Sequence, residues 1–134
     1  MWLISSWLTL FSPDVIIPPL DCQEALGMEN GTISDSQISA SSQWTADYGA
    51  IQGRLHIKAT PKNAGSWSAK QNDFDQWLQV DLGSQYIKVT RVATQGRRDY
   101  SQWVTKYKLR YSNDGVNFQY YREQGQTVDK LISI

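Results

Sequence analysis

The sequence predicts an antiparallel all-β domain, and three observations support this fold class. Apolar and polar residues alternate over several short runs, which is the pattern of half-buried strands. Turn-forming residues separate these runs, and no long segment repeats its apolar residues with a helical period. A parallel sheet would need crossover helices, so the antiparallel arrangement is preferred. With 134 residues, the chain is long enough to bury one core.

Two strands are expected in the middle of the chain. The first occupies Gln76–Gly83, where alternate apolar residues would share one face. The residues of that face are Leu78, Val80 and Leu82. The second strand occupies Tyr86–Gly96, and its alternation loses phase near Val92. This change of phase predicts a β-bulge at that point.

The clearest strand pattern is Trp103–Ser112. Its basic residues Lys106, Lys108 and Arg110 would form the polar outer face that such a strand needs in any case. The opposite face would carry Trp103, Thr105, Tyr107, Leu109 and Tyr111. Within Ser112–Tyr121, Asn-Asp-Gly separates two strand-like runs. Because these residues tolerate positive φ, they predict a hairpin.

Composition narrows the classes of function. The chain has 13 basic and 13 acidic side chains, a formal net charge of zero, whereas nucleic-acid-binding domains usually carry a strongly basic face. No nucleic-acid partner is therefore expected. Aromatic residues make up 12% of the chain, which suits β-structure and contact surfaces. Residues 1–21 are a separate apolar and proline-rich segment, which predicts either a degenerate secretory signal or an unstructured leader.

Three long loops between the expected strands are the candidate binding surface. They are Gln43–Arg54, Lys58–Trp67 and Gln95–Trp103. Long loops inside a compact domain are often functional. Trp and Tyr bury a large area at low entropic cost, and Arg offers a planar set of donors. The candidate ligand-binding residues are Trp44, Tyr48, Arg54, Lys62, Trp67, Arg97, Arg98, Tyr100 and Trp103.

An enzyme is not expected, because the chain lacks a recognisable set of catalytic groups. His56 is the only histidine, so any Ser-His-Asp or Cys-His arrangement would depend on it. Cys22 is the only cysteine, which excludes a Cys-x-x-Cys pair and a cysteine-rich zinc site. Asp73 and Asp75 could offer oxygens to calcium, but a solvated turn is the preferred interpretation. No metal site or cofactor is predicted, and Asn30 begins an N-glycosylation sequence that matters only if the chain is secreted.

The order of the motifs resembles that of a known family. From Cys22 the chain reads "CQEALGMENGTISDSQISASSQW" and continues through "SWSAKQNDFDQWLQVDLG", "KVTRVATQGR", "WVTKYKLRYSNDGVNF" and "QTVDK". This order resembles the discoidin domain, also called the coagulation factor V/VIII C-terminal-type domain. The resemblance covers Cys22 to about Lys130.

The resemblance implies a jelly-roll β-sandwich of the galactose-binding-domain-like type, with loops that project from one end. It implies a non-catalytic, extracellular recognition domain, because such loops bind glycans, protein partners or anionic phospholipid head groups in family members. The domain would span residues 22–134 and would lack the closing strands of the family. The family also pairs its opening cysteine with one at the end of the domain, so Cys22 would lack its disulfide partner in this chain.

These observations favour an adhesion module that binds a cell-surface or matrix glycan or protein. The alternative is a membrane-surface binder for phosphatidylserine, in which exposed aromatic rings and the basic residues Lys62, Arg97 and Arg98 meet the head groups. A third hypothesis is a truncated product with no independent activity.

Overall fold

Every strand pair in the described part of the chain is antiparallel, which confirms the all-β fold class. The strands are β1 Ser5–Thr9, β2 Ile38–Ala40, β3 Leu78–Val80, β4 Lys88–Ala93, β5 Lys106–Lys108, β6 Arg110–Tyr111, β7 Gln119–Tyr120 and β8 Leu131–Ser133. They form the pairs β1–β4, β2–β3, β5–β8 and β6–β7. Helical structure in the described residues is limited to three short 3₁₀ helices, at Asp35–Gln37, Ala46–Tyr48 and Ala50–Gly53.

The computed structural model describes residues 24–83 and 87–134, together with the backbone of residues 5–9. The chain divides into two units, Met1–Trp103 and Val104–Ile134. Cys22 lies outside the described residues, so its lack of a disulfide partner stays a prediction. The same holds for the leader at residues 1–21, of which only the backbone of β1 is described.

The core of the first unit lies beside β2 and β3. These strands place Ile38 opposite Val80 and Ala40 opposite Leu78. Five buried residues form the core: Met28, Ile33, Ile38, Trp67 and Leu78. Val80 and Leu82 pack against this cluster, so the predicted core face of the first strand is confirmed. Burying each such aliphatic side chain contributes roughly 1.5–3 kcal/mol.

β4 confirms the second predicted strand over Lys88–Ala93. Two successive residues of β1 pair with Arg91 and Val89, so that Thr90 is an extra residue between them on β4. An extra residue on one strand of an antiparallel pair is a β-bulge. The sequence pattern predicted a bulge near Val92. The structure has it at Thr90, two residues earlier.

In the second unit, the predicted strand Trp103–Ser112 is divided into β5 and β6. The division occurs because the chain changes its partner: β5 pairs with β8, whereas β6 pairs with β7. At the break, the Leu109 carbonyl accepts a hydrogen bond from the Tyr121 amide at 2.9 Å. The alternation holds at Tyr107, which is buried, but Tyr111 is exposed.

The predicted hairpin is confirmed, because β6 and β7 pair across residues 112–118. Gly115 has φ +71°, a backbone conformation that glycine adopts without strain. The Asp114 carboxylate accepts hydrogen bonds from the backbone amides of Asn117 and Val116, at 2.7 and 2.9 Å. These bonds, first of all that from Asn117, hold the pKa of Asp114 well below its usual value.

Candidate ligand-binding surface

The three predicted loops meet at Asp47 and Tyr48, which lie in the second 3₁₀ helix. The Tyr48 carbonyl accepts a hydrogen bond from the Ser68 amide at 3.3 Å, and the Asp47 carbonyl accepts one from Ala64 at 3.0 Å. The Tyr48 hydroxyl accepts a hydrogen bond from Arg97 Nη1 at 3.1 Å. Segments far apart in the sequence are thereby joined into what we call the loop surface: Gln43–Arg54, Lys58–Trp67 and Gln95–Trp103.

Arg97 is fixed in place by its neighbours on the loop surface. Its guanidinium lies 4.0 Å from the centroid of the Tyr100 ring and 5.3 Å from that of Tyr48. Arg97 Nη1 also donates to Gln102 Oε1 at 3.1 Å, and the Arg97 amide donates to the Gln102 carbonyl at 2.8 Å. These cation–π contacts and hydrogen bonds restrict the rotamers of the side chain. Arg97 therefore positions the third loop against the first.

The remaining candidates of the loop surface are exposed. Trp44, Tyr100 and Trp103 have 62%, 60% and 52% of their area exposed. Lys62 and Arg98 are also exposed, and neither side chain has a partner among the described residues. Wide aromatic faces on the same loops as unpaired cations suit contact with a polar partner that has apolar patches.

The second loop presents Lys62 on a tight backbone turn. Thr60 and Asn63 exchange backbone hydrogen bonds of 2.8 and 3.2 Å, which close the turn around Lys62. Gly65 has φ +65°, and a Cβ atom there would lie 2.4 Å from the backbone nitrogen of Ala59. Both the backbone conformation and the close approach therefore require glycine at this position.

The prediction that Trp67 is an exposed loop anchor is wrong. The residue has 0% of its area exposed and belongs to the core of the first unit. Its indole Nε1 donates to the Ser42 carbonyl at 2.8 Å, which satisfies the one polar group of the buried ring. The run of small residues before it, Ala64 to Ser66, is buried as well. This run was a sequence signal for close packing.

The side chain of Arg54 forms an ion pair and a hydrogen bond within the first unit. Its side chain is only 12% exposed and pairs with Asp35 at 2.5 Å. Its Nη1 also donates to the Met28 carbonyl at 3.0 Å. Arg54 thus joins the end of the first loop to the first 3₁₀ helix, and we leave it out of the proposed ligand contacts.

Phe74 is an exposed aromatic residue that the sequence analysis did not include among the candidates. Its side chain is fully exposed, in a turn that is built by Asp73. Asp73 Oδ1 accepts hydrogen bonds from the Asp75 amide at 2.9 Å and from Gln76 Nε2 at 2.8 Å. The sequence predicts a solvated turn at Asp73 and Asp75, and these hydrogen bonds form one. An apolar residue between polar ones, in "NDFD", was the signal for its exposure.

His56 contacts Glu29 through its side chain and Gln95 through its backbone. Its Nδ1 lies 3.0 Å from Glu29 Oε1, and its backbone amide donates to Gln95 Oε1 at 3.1 Å. The described residues contain no group of three or more His, Cys, Asp or Glu side chains that could hold a metal ion. They also contain no helix that is long and apolar enough to cross a membrane.

Known proteins match this chain over most of its length. The model of the F5/8 type C domain family matches residues 37–133. Rat (Rattus norvegicus) lactadherin is 42% identical over 116 residues, which cover 78% of this chain and 25% of lactadherin. Pig (Sus scrofa) coagulation factor V is 39% identical over 116 residues, which cover 82% of this chain and 5% of factor V.

A human relative gives a similar match. The EGF-like repeat and discoidin I-like domain-containing protein 3 of Homo sapiens is 40% identical over 115 residues, which cover 82% of this chain and 24% of the relative. The chain thus spans about a quarter or less of the length of these relatives. Members of the matching family are non-enzymatic binding modules with a β-sandwich fold. The family match and the antiparallel strands agree, and the chain belongs to the F5/8 type C, or discoidin, domain family.

Proposed function

We propose that this chain is a non-catalytic extracellular recognition module that serves cell or matrix adhesion. It contacts a glycan or a protein partner through the loop surface. The observation that carries this proposal is the meeting of three sequence-distant loops at Asp47 and Tyr48, with Trp44, Tyr100 and Trp103 left exposed on the first and third of these loops. The adhesive role of discoidin domains supports the same assignment.

The chemistry of the loop surface suits such a partner. The apolar faces of sugar rings stack on aromatic side chains, and Trp44 offers the largest exposed ring of the three loops. Lys62 and Arg98 supply cationic donors to hydroxyl or carboxylate groups. Arg97 keeps the third loop in position, so that these groups form one surface before the ligand binds. A surface that is already ordered loses less conformational entropy on binding.

The test is a glycan array and a pulldown of cell-surface proteins, each performed with the wild-type chain and with two variants. Trp44→Ala should reduce binding at least tenfold, because truncating an interface anchor of this type typically costs about 2 kcal/mol or more. Tyr111→Ala removes a comparably exposed ring from the second unit and is the matched control. Equal losses in the two variants, or no binding by the wild-type chain in either assay, would contradict the proposal.

A second candidate function is binding to membranes that contain phosphatidylserine. It is favoured by the exposed rings of Trp44, Tyr100 and Trp103, which lie on the same three loops as the unpaired cations Lys62 and Arg98. Each basic residue near an anionic surface contributes about 1 kcal/mol, so these two give only weak attraction. Flotation with vesicles of phosphatidylcholine, with and without phosphatidylserine, separates the two functions. Binding that does not depend on phosphatidylserine would remove this candidate.

A further inference from the structure

A row of basic side chains lies on one face of the second unit. Lys106 and Lys108 lie on β5 on either side of the buried Tyr107, so they share the opposite, exposed face. Lys108 Nζ and Arg110 Cζ each lie 5.0 Å from the centroid of the Tyr120 ring. Because both cations lie over the same ring, the row continues across the break between β5 and β6.

Arg122 extends this row on the neighbouring segment. Arg122 Nε donates to Asp129 Oδ1 at 3.0 Å, and Lys108 Nζ donates to Asp129 Oδ2 at 3.2 Å. These two contacts place Arg122 beside Lys108. We call the group formed by Lys106, Lys108, Arg110 and Arg122 the cationic face.

The positive charge of the cationic face is only partly neutralised. Asp129 is shared between Lys108 and Arg122, and its hydrogen bond from Arg122 is the main reason that its pKa is lowered. Lys106 and Arg110 have no carboxylate partner among residues 24–83 and 87–134. Four cations thus face a single carboxylate.

The sequence of the second unit shows the same excess. Residues 104–134 contain five basic and three acidic side chains, a net charge of +2, although the whole chain is neutral. Residues two apart on a strand are separated by roughly 6.8 Å, as Lys106 and Lys108 are on β5. Arg110 follows across the break and lies with Lys108 over the Tyr120 ring, so the three cations form a ladder of closely spaced charges. Such a ladder is complementary to a linear polymer with repeated anionic groups.

We propose that the cationic face binds a linear sulfated polysaccharide. Sulfate esters are permanently charged acceptors, and a polymer brings several of them to the row at once. Each exposed ion pair contributes little by itself, so the affinity comes from the number of contacts and from the counterions that they release. This site lies on different residues from the loop surface, and its failure leaves the proposed function untouched.

The aromatic rings beside the cations argue against a nucleic acid. Arg110 lies 5.4 Å from the centroid of the Phe118 ring, and the Tyr120 ring carries both Lys108 and Arg110. Single-stranded nucleic acids bind by stacking bases on open aromatic faces, whereas these rings already have cations over them. The rings instead hold the cations in place, which lowers the entropic cost of ordering them.

The experiment is chromatography of the whole chain on immobilised heparin, with the NaCl concentration at elution as the readout. The double variant Lys106→Gln/Arg110→Gln should elute at lower salt, with an affinity about tenfold weaker near 0.15 M salt and a salt slope that is smaller by about two. Asp129→Asn should elute at higher salt than the wild type, because it removes the carboxylate that competes for Lys108 and Arg122. Lys70→Gln removes one positive charge from the first unit, as Lys106→Gln does from the second, and should elute with the wild type.

Additional measurements keep the result unambiguous. The single variant Lys106→Gln removes a side chain without a described partner, so a weaker affinity in this variant cannot be attributed to a lost internal contact. Heparin that has been chemically desulfated should not compete with the column, and single-stranded DNA should compete at least tenfold more weakly than heparin. Equal competition by DNA, equal losses in Lys70→Gln and Lys106→Gln, or elution of the wild type without added salt would each overturn the proposal.

Discussion

Tyr48 contributes two of the hydrogen bonds that hold the loop surface together. Its backbone joins the first loop to the segment after the second, and its hydroxyl accepts a hydrogen bond from Arg97 of the third. The Arg97 guanidinium in turn lies over the Tyr100 ring. A hydrogen bond that involves a charged group is worth about 1.5–3 kcal/mol, more than a bond between neutral groups. The geometry of the surface is thus set by a few polar contacts.

Replacing Tyr48 by Phe removes this hydrogen bond but keeps the ring. We expect Tyr48→Phe to lower the free energy of unfolding by about 1–2 kcal/mol, as measured by urea denaturation. Tyr100→Phe is the matched control, because within the described residues its hydroxyl makes no hydrogen bond, and it should cost less than about 0.5 kcal/mol. An equal decrease in unfolding free energy in both variants would show that the Tyr48–Arg97 hydrogen bond does not contribute to stability.

Asn30 is expected to carry a glycan when the chain is secreted from mammalian cells. Asn30 and Thr32 are exposed, and Asn30 Oδ1 accepts a hydrogen bond from the Thr32 amide at 3.0 Å, which holds the sequence in a turn. Treatment with peptide N-glycosidase F should increase the electrophoretic mobility of the wild type. The variants Asn30→Gln and Thr32→Ala should already migrate at that position. Thr32→Ser retains the acceptor sequence and should behave like the wild type.

At the scale of elements, periodicity predicted which faces are buried better than it predicted where strands end. Leu78, Val80 and Leu82 face the core as expected, because alternate burial is visible in the sequence. The division between β5 and β6 was not predictable in this way. It arises from a change of partner strand, and the partner β8 lies about twenty residues further along the chain.

Replacing Gly65 tests whether the backbone conformation of the second loop requires glycine at this position. Alanine at this position would combine positive φ with a Cβ atom 2.4 Å from the backbone of Ala59, so we expect Gly65→Ala to lower the unfolding free energy by more than about 2 kcal/mol. Gly115 has a similar φ but open space around it, and Gly115→Ala should cost only about 1 kcal/mol. Thermal unfolding of the two variants compares them directly. Similar melting temperatures would contradict the close approach at Gly65.

The hairpin turn should make stability sensitive to acid. The pKa of Asp114 is lowered in the folded chain, so its carboxylate stabilises the fold above the ordinary value of 3.8, and this contribution is lost as the pH falls through the folded pKa. Asp114→Asn should therefore lose less stability than the wild type between about pH 5 and pH 2. Asp75→Asn, whose carboxylate accepts no hydrogen bond within the described residues, should follow the wild type. Chemical denaturation at each pH provides the measurement.

At the scale of the whole molecule, the sequence indicated the family and the loops but not the exposure of each aromatic residue. Trp44 and Trp67 both lie in polar loop sequences, yet one is exposed and the other is buried. Burial depends on which distant segments close over a ring, and local patterns, such as the small residues before Trp67, are only a weak signal of it. Phe74 was also missed, although its polar neighbours in "NDFD" were a signal for its exposure. The sequence pattern thus located the three loops, while the structure separated their exposed rings from the core.

The burial of Trp67 predicts a large effect on global stability. Trp67→Ala should lower the unfolding free energy by about 3–5 kcal/mol, a large part of the 5–15 kcal/mol that is typical of small domains. Trp77→Ala removes a tryptophan that is 46% exposed and should cost less than about 1.5 kcal/mol. Urea denaturation of both variants measures the difference. A Trp67→Ala variant as stable as the wild type would mean that this ring is not part of the core.

The indole of Trp67, sealed from water, also affects how the protein can be observed. Buried indoles emit at shorter wavelengths and are shielded from collisional quenchers such as acrylamide, whereas Trp44 and Trp103 are open to both solvent and quencher. A ligand that covers the loop tips should therefore change the quenchable part of the fluorescence and leave the shielded part constant. The fluorescence of Trp67 therefore provides an intrinsic reference signal, against which ligand binding can be followed without a label.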